Sequence, residues 1–290
     1  MRIHALRRAL VPVLAACAAT ALAPATASAV VPGQCRSSEG GYTSDLRPGQ
    51  RLESGQSLVP TPGKPELVMQ SDGNLVVYAT TYPGGPKLPL WYSGTYGNPG
   101  AYALMQEDGN FVIYKQGGGP QTGGGVWHTA TYGDRANSYI RASIRDDGEF
   151  SVSGRSEDWY WSTQTSEQPN KVCSTDASWI RGNWAQSANA WLVLQHDNNL
   201  VMYRKRDGKA IWSSGTWGNR NGLNLEMGDN GDLTLHENGP NQTVRWRTGT
   251  GGNSDAYGLL QDDGNFVVYK KSGGPGKGGA LWNSGTYNKM

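Results

Sequence analysis

The chain has 290 residues, of which 26 are Lys or Arg and 24 are Asp or Glu, with 41 glycines and 15 prolines. This near balance of charge excludes the basic stripe that nucleic-acid-binding proteins require. The glycine and proline content, together with the absence of helical periodicity, predicts an all-β protein with very little helix. The four histidines follow no metal-ligand spacing, so we expect no metal, no cofactor and no enzymatic activity.

The first 29 residues are typical of an export signal peptide. Arginines at positions 2, 7 and 8 precede a stretch rich in Ala, Val and Leu, and residues 27–29 form an Ala-Ser-Ala cleavage site. We therefore expect a secreted protein whose mature chain has 23 of the 26 basic residues and all 24 acidic ones. Alternatively, residues 14–17 form a lipobox that anchors the protein through a lipid on Cys17. No later segment approaches the ~20 apolar residues that span a bilayer.

Two cysteines remain after removal of the signal. Cys35 lies in the N-terminal segment 30–40 and Cys173 precedes the second half of the chain. In an exported protein a disulfide between them is plausible on chemical grounds, and two separate thiols are the alternative.

A nine-residue motif with Gln, Asp, Asn, Val and Tyr at alternate positions occurs four times. A hydrophobic core does not need such polar side chains at fixed spacing, so the motif indicates a binding site that is repeated along the chain. The motif residues are Gln70, Asp72, Asn74, Val76 and Tyr78; Gln106, Asp108, Asn110, Val112 and Tyr114; Gln195, Asp197, Asn199, Val201 and Tyr203; and Gln261, Asp263, Asn265, Val267 and Tyr269.

Two degenerate copies complete the pattern, at residues 145–153 and 228–236. The first keeps only the motif Asp, and the second keeps none of the five residues. We expect the acidic residues Asp146, Asp147 and Glu149 to lie in a solvated turn rather than to form a glycosidase pair. A tryptophan in a strand-like run follows each of the six copies, namely Trp91, Trp127, Trp161, Trp212, Trp246 and Trp282.

The repeat spacing predicts two domains of three repeats each. Copies within a triplet start 33 to 39 residues apart, whereas the two triplets are separated by a step of 50 residues. We predict a first domain at 41–163, a polar linker at 164–172 and a second domain at 173–290. Because one repeat cannot bury its apolar face alone, three small sheets should share a centre filled by the tryptophans. The glycine-rich runs at 117–120 and 273–278 are expected to be loops at the rim of the sites.

The motif should place its polar residues on one face of a β-hairpin. If the chain turns about Gly73, even-numbered residues share one face, and Met69, Leu75 and Val77 point into the core. A carboxylate, two amides, a phenol and a methyl-bearing side chain match the hydroxyls and C–H surface of one sugar. The alternative is that Asp-Gly-Asn is only turn chemistry. A calcium loop is excluded, since the downstream Glu is missing.

These residues resemble the bulb-type, or monocot-type, mannose-binding lectin family, whose pattern is Q-x-D-x-N-x-V-x-Y. The resemblance covers about residues 41–290 and implies two tandem β-prism II domains with metal-free mannose sites. It also implies roles: Asp72 and Asn74 bind the axial 2-hydroxyl, Gln70 the 3-hydroxyl and Tyr78 the 4-hydroxyl, while Val76 contacts the C3–C4 edge. The same roles apply to the other three intact copies.

We therefore expect four sites, two per domain, for mannose-containing glycans or polysaccharides on cell surfaces. The resemblance further implies strand exchange between domains, in which the strand around Trp161 completes the second domain and that around Trp282 the first, or a homodimer. Tandem bulb-type domains also resemble lectin-like bacteriocins, which kill related bacteria, and this is the alternative function. Five more tryptophans could be core, interface or sugar-stacking residues, namely Trp159, Trp179, Trp184, Trp191 and Trp217.

Overall fold

The computed structural model describes residues 41–80, 84–133, 139–154, 159–219 and 221–290. The predicted signal peptide 1–29, the segment 30–40, and both Cys17 and Cys35 lie outside the described residues. Throughout the described part of the chain the secondary structure consists of strands and turns, as the composition predicts. No helix in this part is long and apolar enough to cross a membrane.

The described residues of the first domain form twelve strands. They are β1 (Thr43–Leu46), β2 (Arg51–Leu52), β3 (Ser57–Leu58), β4 (Glu66–Met69), β5 (Leu75–Thr80), β6 (Lys87–Tyr92), β7 (Tyr102–Met105), β8 (Phe111–Gly119), β9 (Gly123–His128), β10 (Arg141–Arg145), β11 (Phe150–Ser153) and β12 (Trp159–Ser162).

The second domain contributes eleven described strands. They are β13 (Lys171–Cys173), β14 (Trp184–Gln186), β15 (Ala190–Leu194), β16 (Leu200–Arg204), β17 (Ala210–Ser213), β18 (Leu223–Met227), β19 (Leu233–Glu237), β20 (Val244–Arg247), β21 (Tyr257–Leu260), β22 (Phe266–Gly274) and β23 (Gly278–Asn283).

Each domain is built from three antiparallel sheets, one per repeat. The motif forms the hairpin in the middle of a sheet, and the strand that carries the tryptophan pairs with its second arm. The N-terminal segment of each domain adds the fourth strand in reverse order. In the first domain β1, β2 and β3 pair with the third, second and first hairpins. In the second domain β13, a bridge from Trp179 to Leu225, and β14 do the same. Both domains therefore have the predicted β-prism II architecture.

Three tryptophans meet edge to face at the centre of each prism. In the first domain the ring centroids of Trp91, Trp127 and Trp161 lie 5.3 to 5.7 Å apart, with interplanar angles of 67° to 77°. The second trio is spaced by 5.5 to 5.8 Å. T-shaped contacts at this spacing are the favoured geometry for aromatic rings. One residue from each sheet therefore closes each core.

The expected strand exchange is wrong for this structure. Trp161 lies in β12, which pairs with β11 of the first domain, and its ring packs on Trp91 and Trp127. Trp282 lies in β23, which pairs with β22 of the second domain. Each prism is therefore completed by its own C-terminal strand.

The segment 164–172, predicted to be a polar linker, is packed between the domains. Thr165 and Glu167 are buried, and Lys171 already begins β13. Trp184 and Trp191 of the second domain are fully buried in one hydrophobic cluster with the core of the first domain. The segment is therefore not a free chain between the domains, since Trp184 Nε1 donates to Thr165 O and the Gln168 N–H donates to Trp184 O. Cys173 is disulfide-bonded, and its pairing with Cys35 stays a prediction.

A polar network at this interface couples the stability of the fold to pH. Lys205 donates to Gln186 at 2.7 Å, and Gln186 donates to Glu167 at 2.8 Å. Burial lowers the pKa of Lys205 from 10.5 to about 8, while the charges of Glu167 and Asp262 oppose the shift and that of Lys64 adds to it. Between pH 8 and 10.5 the unfolded chain therefore binds a proton that the folded chain does not.

We expect this proton difference to make the protein more stable as the pH rises from 7.5 to 9.5. Because the folded state releases the Lys205 proton over that interval while the unfolded state keeps it, the unfolding free energy of the wild type should increase relative to that of Lys205→Met. Chemical denaturation at several pH values measures the difference. The control Lys277→Met, at an exposed lysine, should keep the wild-type slope. Parallel curves for wild type and Lys205→Met would contradict the prediction.

Candidate functional site

Each intact motif forms the turn of a central hairpin. In the first copy the Gln70 N–H donates to Asn74 O at 2.9 Å and the Gly73 N–H donates to Gln70 O at 3.0 Å. Gly73 has a φ of +92°, and a Cβ there would lie 2.2 Å from Asn98 O. Glycine is therefore required by both conformation and space. The third copy has Asn198 at this point with a φ of +73°, which asparagine tolerates.

The two faces of the hairpin are divided as predicted. Met69, Leu75 and Val77 are fully buried in the core of the prism. The alternate residues, from Gln70 to Tyr78, lie on the opposite face. Asp72 is exposed, whereas Val76 is only 2 % exposed. The site is therefore a small polar set around a covered methyl-bearing side chain.

One end of every site is a hydrogen-bonded pair of Gln and Tyr. Gln70 Nε2 donates to Tyr78 Oη at 2.8 Å, and the equivalent bonds in the other three copies measure 2.7, 2.7 and 2.8 Å. Burial raises the pKa of Tyr78, Tyr114 and Tyr203, so these phenols keep their proton at neutral pH. The pair thus offers an amide oxygen as acceptor and a phenol as donor.

The other end of the site is formed by an Asp and an Asn. One polar atom of each side chain, Oδ1, is hydrogen-bonded within the protein. Asp72 Oδ1 accepts the Asn74 backbone N–H at 2.9 Å. Asn74 Oδ1 accepts the Ser93 hydroxyl and the Thr95 backbone N–H, both at 3.2 Å. Among the described residues these bonds leave Asp72 Oδ2 as a free acceptor and Asn74 Nδ2 as a free donor. One hydroxyl group, which both donates and accepts, can bind between them.

The Ser/Thr-x-Thr segment after each tryptophan is a part of the site that the motif analysis missed. Its first hydroxyl and its final backbone N–H hold the motif Asn, and the final Thr hydroxyl donates to the carbonyl of the turn. A repeated pattern in the sequence could have revealed it. The pairs are Ser93 and Thr95, Thr129 and Thr131, Thr163 and Thr165, Ser214 and Thr216, Thr248 and Thr250, and Ser284 and Thr286.

The degenerate copy at 228–236 keeps this scaffold with the two residue types exchanged. Asn230 Oδ1 accepts the Asp232 N–H at 3.0 Å, and Asp232 Oδ1 accepts the Thr250 N–H at 3.0 Å. At these two positions the difference lies in the side-chain atoms that make none of these hydrogen bonds. The amide nitrogen of Asn230 stands where the intact copies have a carboxylate oxygen. The Gln and Tyr positions hold Gly228 and His236, and His236 hydrogen-bonds Glu226 at 2.9 Å. Structure and ligand binding therefore depend on different atoms of the same residues.

The degenerate copy at 145–153 has an internal ion pair in place of the sugar-binding residues, and Trp184 of the second domain contacts it. Asp146, Asp147 and Glu149 are buried rather than solvated, so the expectation of an exposed turn is wrong. Arg145 forms an ion pair with Asp147, and burial raises the pKa of Glu149. Trp184 Nε1 donates to Asp147 O at 3.2 Å. The ion pair and the contact with Trp184 account for the burial of Asp147.

The second and fourth intact sites are flanked by an additional tyrosine and a long hairpin. Tyr102 lies beside Tyr114 with ring centroids 5.8 Å apart, and Tyr257 lies beside Tyr269 at the same distance. The phenols of Tyr102 and Tyr257 donate to carbonyls in the glycine-rich runs at 2.7 and 2.8 Å. These runs, predicted to be loops, mostly extend β8, β22 and β23.

The five tryptophans outside the two central trios differ in burial. Trp179, Trp184 and Trp191 are buried, whereas Trp159 and Trp217 are exposed. In the described part of the chain no group of three or more His, Cys, Asp or Glu side chains could hold a metal ion.

Comparison with known proteins gives one relative of known specificity. No family model matches the chain. The mannose-specific lectin of Aloe arborescens is 33% identical over 96 residues, which cover 32% of this chain and 77% of the relative.

Solved lectin structures also resemble the chain. A fetuin-binding two-domain lectin of Scilla campanulata is 22% identical and covers 84% of this chain and 100% of its own, with a TM-score of 0.31. The mannose-specific lectin of Crocus vernus is 25% identical and covers 37% and 89%, with a TM-score of 0.32. Because these TM-scores are low, the assignment rests on the sequence relative. On that relative, this chain belongs to the bulb-type mannose-specific lectin family.

Proposed function

We propose that the protein is an exported lectin that binds terminal mannose of mannose-rich glycans at four sites, without a metal ion. The observation that supports this is the recurrence of one hydrogen-bond set in four copies. In each copy the Gln-to-Tyr bond measures 2.7 to 2.8 Å and the Asp-to-Asn bond measures 2.9 Å. Export is supported by the signal-like segment 1–29.

The free atoms of the site match the hydroxyls of mannose. The axial 2-hydroxyl donates to Asp72 Oδ2 and accepts from Asn74 Nδ2. At the other end, Gln70 Oε1 accepts from the 3-hydroxyl and the Tyr78 phenol donates to the 4-hydroxyl. Val76 lies between the two ends, beneath the C–H edge of the ring. Every polar atom of the site then has a partner, which is the condition for burying such groups against a ligand.

So few contacts give weak binding of one sugar. We expect a dissociation constant on the order of millimolar for a monosaccharide. Four sites on one chain raise the avidity for a multivalent glycan by ~10²–10⁴. The protein thus acts on surfaces that display many mannose ends rather than on free sugar.

The number of sites is tested by titration with methyl α-mannoside in the presence of a chelator. We expect four equivalents per chain, because four copies have the complete set. Asp72→Asn should reduce the count to three, since it replaces the free acceptor by a donor and keeps the Oδ1 bond to the Asn74 N–H. Calorimetry or ligand-observed NMR measures both values.

A matched control exists in a degenerate copy. Asp229→Asn removes the same charge at an exposed turn residue and should leave four equivalents. Binding that requires a divalent cation would contradict the metal-free mechanism, and six equivalents would show that the degenerate copies bind mannose as well.

A further inference from the structure

An exposed aromatic residue follows the Ser/Thr-x-Thr segment in each intact repeat. The four residues are Tyr96, Tyr132, Trp217 and Tyr287, with exposures of 69%, 61%, 70% and 58%. Single exposed aromatics are ordinary on protein surfaces. Four at the same structural position, each next to a complete site, require a common cause.

The two degenerate repeats show that the fold does not supply this cause. Thr165 and Thr250 donate to the turn carbonyls of Gly148 and Gly231, just as Thr95 donates to that of Gly73. The next residues, however, are Ser166 and Gly251. The prism therefore forms this loop without an aromatic side chain, and the aromatic residue is present only where the sugar-binding set is complete.

The position of the aromatic residue is fixed by the site itself. The N–H of the preceding Thr donates to the motif Asn Oδ1 at 3.2 to 3.3 Å in all four copies. The aromatic Cα lies one residue further on, ~3.8 Å from the Thr Cα. The ring is thus rooted at the Asn end of the site, away from the Gln and Tyr pair.

The number of residues between the motif Tyr and the exposed aromatic residue varies between copies, whereas the hydrogen bond that positions the aromatic residue is the same. The aromatic residue follows the motif Tyr by 18 residues in three copies but by 14 in the third. The shorter third copy still forms the Thr216 N–H bond to Asn199 at 3.3 Å. It also has the larger aromatic side chain, Trp217.

In the described part of the chain no hydrogen bond or aromatic contact accounts for the position of these four rings. Within the described residues they make no contact with another aromatic ring, and their polar atoms accept or donate no hydrogen bond. A ring left in this state has a free face, which is well suited to the C–H surface of a sugar. The hydroxyl-binding set accounts for one sugar unit, and the aromatic residue is attached to the chain next to that set, at its Asn end.

We propose that Tyr96, Tyr132, Trp217 and Tyr287 form a second subsite at each intact site, on which the sugar unit next to the terminal mannose stacks. This proposal rests on the proposed function and names its ligand class: oligosaccharides of at least two sugar units. Aromatic residues contribute strongly at binding interfaces because they offer a large rigid surface at low entropic cost. The site with Trp217 should prefer the longer ligand most.

The test replaces the four aromatic residues by alanine together and compares methyl α-mannoside with α1-2, α1-3 and α1-6 mannobiosides by calorimetry. In the wild type, at least one disaccharide should bind about fivefold to tenfold more tightly than the monosaccharide, as expected for one aromatic contact. The variant should lose this preference and keep its monosaccharide affinity within about twofold. A second variant, with all four residues changed to Phe, should retain the preference, because the ring and not the hydroxyl makes the contact.

Several results would overturn the subsite. These are the absence of a disaccharide preference in the wild type, an equal loss for monosaccharide and disaccharide in the alanine variant, or a change of oligomeric state with unchanged disaccharide affinity. Failure of the proposed function is recognised separately, since the wild type would then bind none of the mannosides.

Discussion

Simultaneous replacement of Asp72, Asp108, Asp197 and Asp263 by asparagine is expected to abolish binding to a neutral mannose-rich polysaccharide and to leave the fold intact. Each substitution changes the one free acceptor of a site into a donor. Two amide groups then face the same hydroxyl, and neither accepts its proton. Because the avidity of ~10²–10⁴ comes from several weak sites acting together, the loss of all four should remove detectable binding.

The degenerate copy at 228–236 is the reason to expect an intact fold. Asn230 stands at the Asp position, and its Oδ1 accepts the Asp232 backbone N–H at 3.0 Å. In the first intact copy Asp72 Oδ1 accepts the Asn74 backbone N–H at 2.9 Å. The same turn therefore forms with either residue. We expect each substitution to change the unfolding free energy by less than about 0.5 kcal/mol.

The measurement pairs surface plasmon resonance on immobilised polysaccharide with thermal unfolding followed by circular dichroism. The control exchanges Asn230→Asp and Asp232→Asn, which should preserve the fold and add no site, since Gly228 and His236 still replace the Gln and Tyr. Undiminished binding by the fourfold variant would place the mannose sites elsewhere. Loss of the folded state would mean that the carboxylates themselves stabilise the turn.

The repeat architecture was predictable because its signals are local and periodic. Alternation within the motif assigned Met69 and Leu75 to the core and Gln70 and Tyr78 to the opposite face, as the structure shows. The six tryptophans indicated three sheets per domain around a shared centre. Such signals are readable because a hairpin and its sheet are set by neighbouring residues.

The relation between the domains was not predictable from the same signals. A polar segment predicts a linker, yet the Glu167 N–H donates to Asp147 O at 2.7 Å and its side chain is held by Gln186. These contacts occur once rather than in every repeat, so they leave no periodic pattern in the sequence. Strand exchange is equally hidden, because Trp161 would complete an aromatic trio in either domain. The Ser/Thr-x-Thr segments, in contrast, were readable and occur in all six repeats.

Trp184→Ala is expected to have the largest effect on stability and to uncouple the two domains. The side chain is fully buried in the cluster that joins both domains. Its Nε1 donates to Thr165 O at 2.7 Å and to Asp147 O at 3.2 Å. Truncation leaves a large cavity and unpaired carbonyls, so we expect a loss of ~3–5 kcal/mol.

Differential scanning calorimetry distinguishes the two consequences. If the domains unfold together in the wild type because they share this cluster, the variant should show two separate transitions at lower temperature. Trp184→Phe keeps most of the buried area and removes only the donor, so it should cost ~1–3 kcal/mol. The exposed Trp217→Ala is the matched control and should change the unfolding free energy by less than about 0.5 kcal/mol.

The sugar sites provide an independent check on this interpretation. Trp184 belongs to the first sheet of the second domain, where it pairs with Val193 at the base of the third site. The second and fourth sites lie on other sheets. Trp184→Ala should therefore weaken the third site first and leave the second and fourth unchanged below the first transition. An unchanged, single transition would show that Trp184 contributes neither to the stability of the prisms nor to the coupling between them.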